Sequence, residues 1–338
     1  MKKGGTSMDG KALLKEHFRI TSDRMVNGRY YESEGFLYSI VDVTNMEQEY
    51  LLELHQMSQH LMSQGDRKVA VFIPSVTGAF LITEDKKDVV VLGSAQVLSR
   101  SEAIGKKLAR FHRRGRTLTD EMKTTSQLGL WRERWEQEMD RLEKSISGLM
   151  EKGVDGKFAT MMIDSFPYYM GLAENAIQYI VDTEMDETPG ITDYGTICHQ
   201  SFHAKTWANR NFIHHPFDWV YDHPARDIAE WIRSSYWEGS LLYRSNFEQF
   251  LQEYQQQERL SPFSWRLIYA RLLFPTHYFD CSRIYFSSQS LQVKKEKEEQ
   301  LEKYMKNTAE YERFLASFYE LAFVPTNRLK IPNVTWLK

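Results

Sequence analysis

The spacing of apolar residues changes near residue 95, and that change confines the chain to a two-part architecture. Before it, apolar residues gather in short runs separated by turn formers. Residues 18–25, 29–32 and 36–43 read as strands, with Asn27-Gly28 and Glu34-Gly35 turning between them. Residues 46–61 read as a helix, because Tyr50, Leu54, Met57 and Leu61 fall on one face, and Gly65-Asp66 ends it. Residues 69–73, 79–83 and 89–92 read as three more strands, turned at Thr77-Gly78 and in the 84–87 run.

From Ser99 onward the period is helical. Ile104, Leu108 and Phe111 line one face of a helix that ends near Gly115. Trp131, Trp135, Met139, Leu142, Ile146 and Leu149 form a long stripe with core spacing. A third helix over 169–181 is expected to start after Pro167, which would disrupt a helix interior. Further helices are expected over 224–236, 246–256, 264–273 and 301–322. The mixed-charge run 294–306 reads as the solvated face of the last. The outline is a β-rich lobe over 1–95, a linker near 93–100 and a large helical lobe over 96–338.

A chain of 338 residues can bury two such cores. Its formal net charge of −3 carries no basic excess, so a nucleic-acid partner is not expected. No apolar run approaches the roughly 20 residues that span a bilayer, so no membrane partner is expected either. Residues 1–10 are polar and lack the apolar core of a signal peptide, which points to cytoplasmic synthesis. Cys198 and Cys281 alone make neither a disulfide framework nor a cysteine-rich metal site.

Two segments carry the chemistry. One is His199-Gln200-Ser201-Phe202-His203-Ala204-Lys205-Thr206. The other contains Phe217-Asp218-Trp219 and, further on, Asp227-Ile228-Ala229. They resemble the catalytic loop, the metal loop and the helix that follows in the aminoglycoside and choline phosphotransferase branch of the kinase-like fold. The His199-Gln200 pair, the Pro224-Ala225-Arg226-Asp227 run and Leu272-Leu273-Phe274-Pro275 look closer still to the CotS family of spore-coat kinase-like proteins. Residues 105–112 resemble the first helix of the large lobe. The resemblance implies an α+β, two-lobed protein-kinase-like (aminoglycoside phosphotransferase-like) fold. It also implies a place in the spore coat, with other coat proteins as partners.

The departures from that pattern bear on activity. Ser201 occupies the position of the catalytic aspartate, and a serine hydroxyl is too weak a base for that role at neutral pH. Thr206 occupies the asparagine position and lacks its carbonyl oxygen. Asp218 remains as one candidate magnesium ligand, which leaves room for weak Mg-ATP binding. Between Arg29 and Arg67 there is no lysine or arginine, so the expected third strand offers no cation to grip phosphates. Glu47, Glu49 and Glu53 on the following helix would have no such partner. No Gly-x-Gly-x-x-Gly loop is present.

The expectation is a catalytically degenerate pseudokinase with no assigned catalytic residue, acting by binding or scaffolding. Its cleft would hold a small molecule or nothing. His199 and Asp227 would keep structural roles, the first with its ring on backbone near the metal loop. The second would accept backbone N–H bonds. Two alternatives stay open. An active small-molecule phosphotransferase would need a relocated carboxylate, with Asp193 and Asp222 nearest in sequence, and a cation such as Lys68. A plain nucleotide-binding module would need only Asp218.

Other residues read more simply. His203 is expected to be a packed or solvent-facing loop residue, and His214-His215 a turn between two short strands. Trp131 and Trp135 are assigned to the core. The cluster Lys106, Lys107, Arg110, Arg113, Arg114 and Arg116 reads as an exposed helix face and C-terminus, where cations suit the dipole. A phosphate-bearing ligand or an acidic protein is its minority reading.

Overall fold

The computed structural model describes residues 9–97, 102–153, 155–203, 205–207, 212–238, 243–332 and 334. The expected linker therefore lies partly, at 98–100, outside the described residues, as does most of the polar N-terminus. The chain opens with helix α1 (Gly10–Phe18), whose Asp9 accepts the N–H of Lys11 at 3.0 Å as a cap. Strands β1 (Arg24–Val26), β2 (Tyr30–Ser33) and β3 (Phe36–Asp42) follow, then helix α2 (Gln48–Ser63). Strands β4 (Val71–Phe72), β5 (Leu81–Glu84) and β6 (Lys87–Ala95) complete the sheet.

That sheet is antiparallel, in the order β1-β2-β3-β6-β4, with β5 also on β6. Asn27-Gly28 and Glu34-Gly35 turn with positive φ, as tight hairpins require. The pleat of β3 separates two clusters. Tyr38 and Ile40 pack with Leu13, Leu14 and Phe18 of α1. Val41 packs on the opposite face with Leu51 and Leu54 of α2.

The large lobe begins with α3 (Ile104–Arg116), α4 (Trp131–Lys152) and α5 (Lys157–Asp186). A two-stranded ribbon, β7 (Thr196–His199) and β8 (Trp219–Asp222), comes next. The rest is helical: α6 (Ala225–Trp237), α7 (Tyr243–Gln255), α8 (Pro262–Leu273), α9 (Thr276–Ser287), α10 (Leu291–Lys306), α11 (Thr308–Leu321) and α12 (Thr326–Leu329). Helix α8 is buried almost throughout and packs against α5 and α6. Gly115 brings α3 onto β7, since a Cβ there would stand 2.7 Å from the Ile197 nitrogen. No described helix is long and apolar enough to cross a membrane.

The structure departs from the sequence reading at several elements. Residues 11–17, which the sequence reading assigns to no element, form α1 with Gly10 and Phe18, because Leu13, Leu14 and Phe18 bury one face of a capped helix, and the strand expected over 18–25 is confined to β1. Helix α5 starts twelve residues earlier than expected and runs through Pro167. Phe158, Met162 and Ser165 are buried on the near side of that proline, so packing outweighs one missing hydrogen bond. Helix α9 was not anticipated. The expected helix 301–322 is two helices, broken at Asn307, and the mixed-charge run belongs to the first.

Candidate functional site

The β7–β8 ribbon sets His199 opposite Trp219 and so brings the two chemical segments together. The Gln200 N–H donates to the Asp218 carbonyl at 2.8 Å, and Gln200 Nε2 donates to the Phe217 carbonyl at 3.1 Å. Arg226 clamps the loop from below. Its Nε donates to the His199 carbonyl at 2.9 Å and its Nη1 to Asp222 at 2.9 Å. Asp222 is fixed in turn by Trp131 Nε1 at 2.8 Å.

Asp227 is the centre of this frame and is fully buried. It accepts the His199 backbone N–H at 2.9 Å, and its carboxylate lies 2.7 Å from His199 Nδ1 and 3.2 Å from His112 Nε2. His112 Nδ1 meets the Tyr254 hydroxyl at 2.8 Å. Burial opposes ionisation of Asp227, but His199 and His112 outweigh it and hold the carboxyl well below the usual range. The ring of His199 thus faces a carboxylate rather than backbone.

Ligand atoms of His112, Cys198 and Asp227 lie within 4.8 Å of one another, a metal-compatible cluster. They do not suit an ion. The imidazole and carboxylate already hold each other, Tyr254 and His199, and burial pushes the Cys198 thiol well above its ordinary value.

Ser201 is exposed, with Oγ 2.7 Å from His203 Nε2. Thr206 Oγ1 accepts the His203 N–H at 2.8 Å, so the hydroxyl at the asparagine position closes the loop on itself. Asp218 ends a short 3-10 turn, Pro216–Asp218, and its carboxylate is exposed. Its charge acts on Tyr30, Tyr50 and His215, and Arg29 from the β1–β2 turn acts on Tyr30 and His215 as well.

The small-lobe wall is built from other groups. On the cleft face of β3, Ser39 is buried and its Oγ lies 3.5 Å from His215 Nε2. Burial pushes the His215 imidazole down to about 4, although Asp218 pulls it upward, so it is neutral at pH 7. Glu53 of α2 is 4% exposed and has no ion pair among the described residues. It accepts the backbone N–H groups of Lys123 at 2.8 Å, Thr124 at 2.9 Å and Thr125 at 2.8 Å, and the Thr125 hydroxyl at 2.6 Å. Burial opposes its charge, but these bonds hold the carboxyl down at about 2.

More joints tie the lobes together. The segment before Asp218 lies beside the start of β4: His214 donates its N–H to the Lys68 carbonyl and accepts the Ala70 N–H, both at 2.9 Å. His214 Nδ1 and Arg114 Nη1 each lie 3.1 Å from Asp66. The expected His214-His215 turn is thus a buried strip on the small lobe. It is held because its flanking Ile213 and Phe217 pack into the α2 cluster.

Beside Ser201 opens a cavity of about 600 Å³ whose wall includes Trp131, Trp135, Arg134, Arg141, Arg226 and Arg271. The two tryptophans are core residues that also face it. The groups proposed for a relocated site are engaged elsewhere. Asp193 accepts the Ser261 and Ser264 hydroxyls at 2.6 and 2.5 Å, Asp222 holds Trp131 and Arg226, and Lys68 lies 4.0 Å from the centre of the Phe212 ring. The sequence reading did not foresee Arg226 as a clamp, Glu53 on the 123–125 backbone, or His215 against Ser39. No local pattern marks any of them.

The model of the family described as "Spore coat putative kinase YutH" matches residues 11–318. The chain is 39% identical over 336 residues to the "Endospore coat-associated protein YutH" of Bacillus subtilis (strain 168), covering 97% of this chain and 98% of that protein. Among solved structures, it resembles an aminoglycoside phosphotransferase from Alicyclobacillus acidocaldarius. That match has a TM-score of 0.67 and 14% identity, over 95% of this chain and 98% of the other. It also resembles a spectinomycin phosphotransferase in complex with ADP and spectinomycin, with a TM-score of 0.55 and 12% identity, over 87% and 92% of the two chains. These likenesses establish the two-lobed, kinase-like fold.

Proposed function

The chain belongs to the spore coat putative kinase YutH family, and on that premise we propose that it serves the spore coat as a catalytically degenerate kinase-like protein. It would be made in the cytoplasm and act by binding other coat proteins, with a small β-rich lobe over 1–95 and a helical lobe over 96–338. The observation that carries this reading is the contact between Ser39 and His215 on a strand without lysine or arginine. A neutral imidazole lies against the strand expected to supply the phosphate-gripping cation. Ser201 in the catalytic loop and the capture of Glu53 by backbone support the same reading from both lobes.

Purified protein given Mg-ATP and a panel of small hydroxyl acceptors is expected to show no phosphotransfer above background. Turnover that Asp218→Ala abolishes would overturn the proposal.

One observation favours an active, rearranged site as the second reading. His203 Nε2 lies 2.7 Å from Ser201 Oγ, so a nitrogen base stands beside the place of the missing carboxylate. Arg29, close enough to act on His215 beside Asp218, would be its cation. This reading needs the turnover just described to be lost in His203→Ala as well.

A further inference from the structure

Three arginines lie in or just behind the wall of the cavity beside Ser201, and two carboxylates answer them. Arg226 pairs with Asp222 at 2.9 Å. Glu230 serves the other two at once, Arg233 at 2.7 Å and Arg271 at 2.6 Å. Arg233 and Arg271 are 4% and 5% exposed, so water screens little of their charge. Asp227 is already committed to His199 and His112. The shortfall falls on Arg271. Burial pushes its guanidinium below the ordinary value, and the Arg226 charge adds to that push against the pull of Glu230. Despite burial, Asp222 raises Arg226 and Glu230 raises Arg233. Arg271 Nε is also buried with no hydrogen-bond partner, although every N–H of a guanidinium is a donor. A buried cation that shares its counter-ion lacks an acceptor.

The same wall offers a place for one. Arg271 lies over the Trp131 ring, 4.5 Å from its centre. Trp131, Trp135, Phe274 and Phe279 follow one another as a row of rings, with centroids 6.1, 4.3 and 4.9 Å apart. All four line the cavity of about 600 Å³. On the exposed part of the wall, Arg141 pairs with Glu138 at 2.7 Å and Arg283 with Asp280 at 2.5 Å. Arg134 is exposed and has no ion pair among the described residues, since Glu136 and Glu138 of its helix hold Arg132 and Arg141. With Arg233 and Asp222 behind the wall included, six arginines meet four carboxylates.

We infer that this cavity binds a small carboxylate with a flat apolar body, its charge at Arg271 and its body along the row of rings. A planar carboxylate matches the guanidinium fork, and the apolar rings keep water from the pair. The inference rests on the binding role proposed above, to which it gives a ligand class.

Calorimetric titration of the full chain with phenylacetate, at ionic strength held constant with sodium chloride, tests the site. The titration contains no nucleotide, so its result is independent of the phosphotransfer assay above. Saturable binding is expected, and phenylacetamide, the uncharged counterpart, should bind about ten-fold more weakly or worse. Arg271→Gln leaves Glu230 to Arg233 and Asp222 to Arg226, one cation to each carboxylate, so the buried charges stay balanced. It should weaken phenylacetate binding about ten-fold or more. Arg134→Glu, at an exposed position, carries the test if that variant does not fold. Absence of saturable phenylacetate binding, equal binding of phenylacetamide, or indifference to both variants would overturn the inference.

Discussion

On the large-lobe side of the cleft, Asp227 holds His199 and His112 in a closed, fully buried network. On the small-lobe side, Glu53 aims its carboxylate at the backbone of residues 123–125, and Ser39 faces His215. The first arrangement is a frame and the second a reuse. Asp227, His199 and Arg226 anchor the loop that leaves β7, so losing any of them would leave buried polar groups unpaired. Groups whose task is only to touch a nucleotide carry no such penalty. On the small-lobe wall of this chain, Ser39 and Glu53 instead join the two lobes.

Breaking the frame should have the largest effect. Asp227→Ala removes a buried carboxylate and strands two histidines, and should cost about 3–5 kcal/mol in urea unfolding. A loss under about 1 kcal/mol would mean that the network is not what holds the loop.

The reuse should matter less, and it should depend on pH. Glu53→Gln keeps the shape but weakens four charge-assisted bonds, for an expected loss of about 1–3 kcal/mol. The Glu53 carboxyl titrates at about 2 in the folded chain against an ordinary 4.5. Its stabilisation is therefore fully present above 4.5 and is lost as pH falls toward 2. The gap between wild type and Glu53→Gln should close over that window. A gap that persists at low pH would show that the carboxylate charge is not the source.

The smallest expected effect is a test of restoration. Ser201→Asp returns a carboxylate to the catalytic loop, and a positioned base contributes about 10²–10⁴-fold in rate. Phosphotransfer by this variant should nevertheless stay at background, because the small lobe still offers no cation on β3. A clear gain would show that the two sides of the cleft do not depend on each other.

Much of this was legible in the residue order. The change of period near residue 95 outlines the two lobes, and the segment from His199 to Ala229 identifies the loops, because each signal is short and local. The errors have separate causes. Helix α5 crosses Pro167 because burial on both sides of it overrode local propensity, whereas residues 301–322 divide at Asn307, a weak helix former that the apolar stripe masked. Helix α1 escaped notice because nine residues with three large apolar side chains make too brief a pattern to stand apart from a strand.

By itself the sequence determined the chemical inventory: a serine at 201, an aspartate at 218, and no lysine or arginine from Tyr30 to Asp66. Only the tertiary structure decided what those absences became. Glu53 finds Thr125 across 72 positions and Ser39 finds His215 across 176. Backbone N–H groups are the same at every residue, so no sequence pattern reveals which of them a buried carboxylate will find. Likewise, the two ammonium groups over Phe212 become neighbours only because α3 and the start of β4 meet in the fold. Charge is written in the chain, but its partner is chosen by proximity in space.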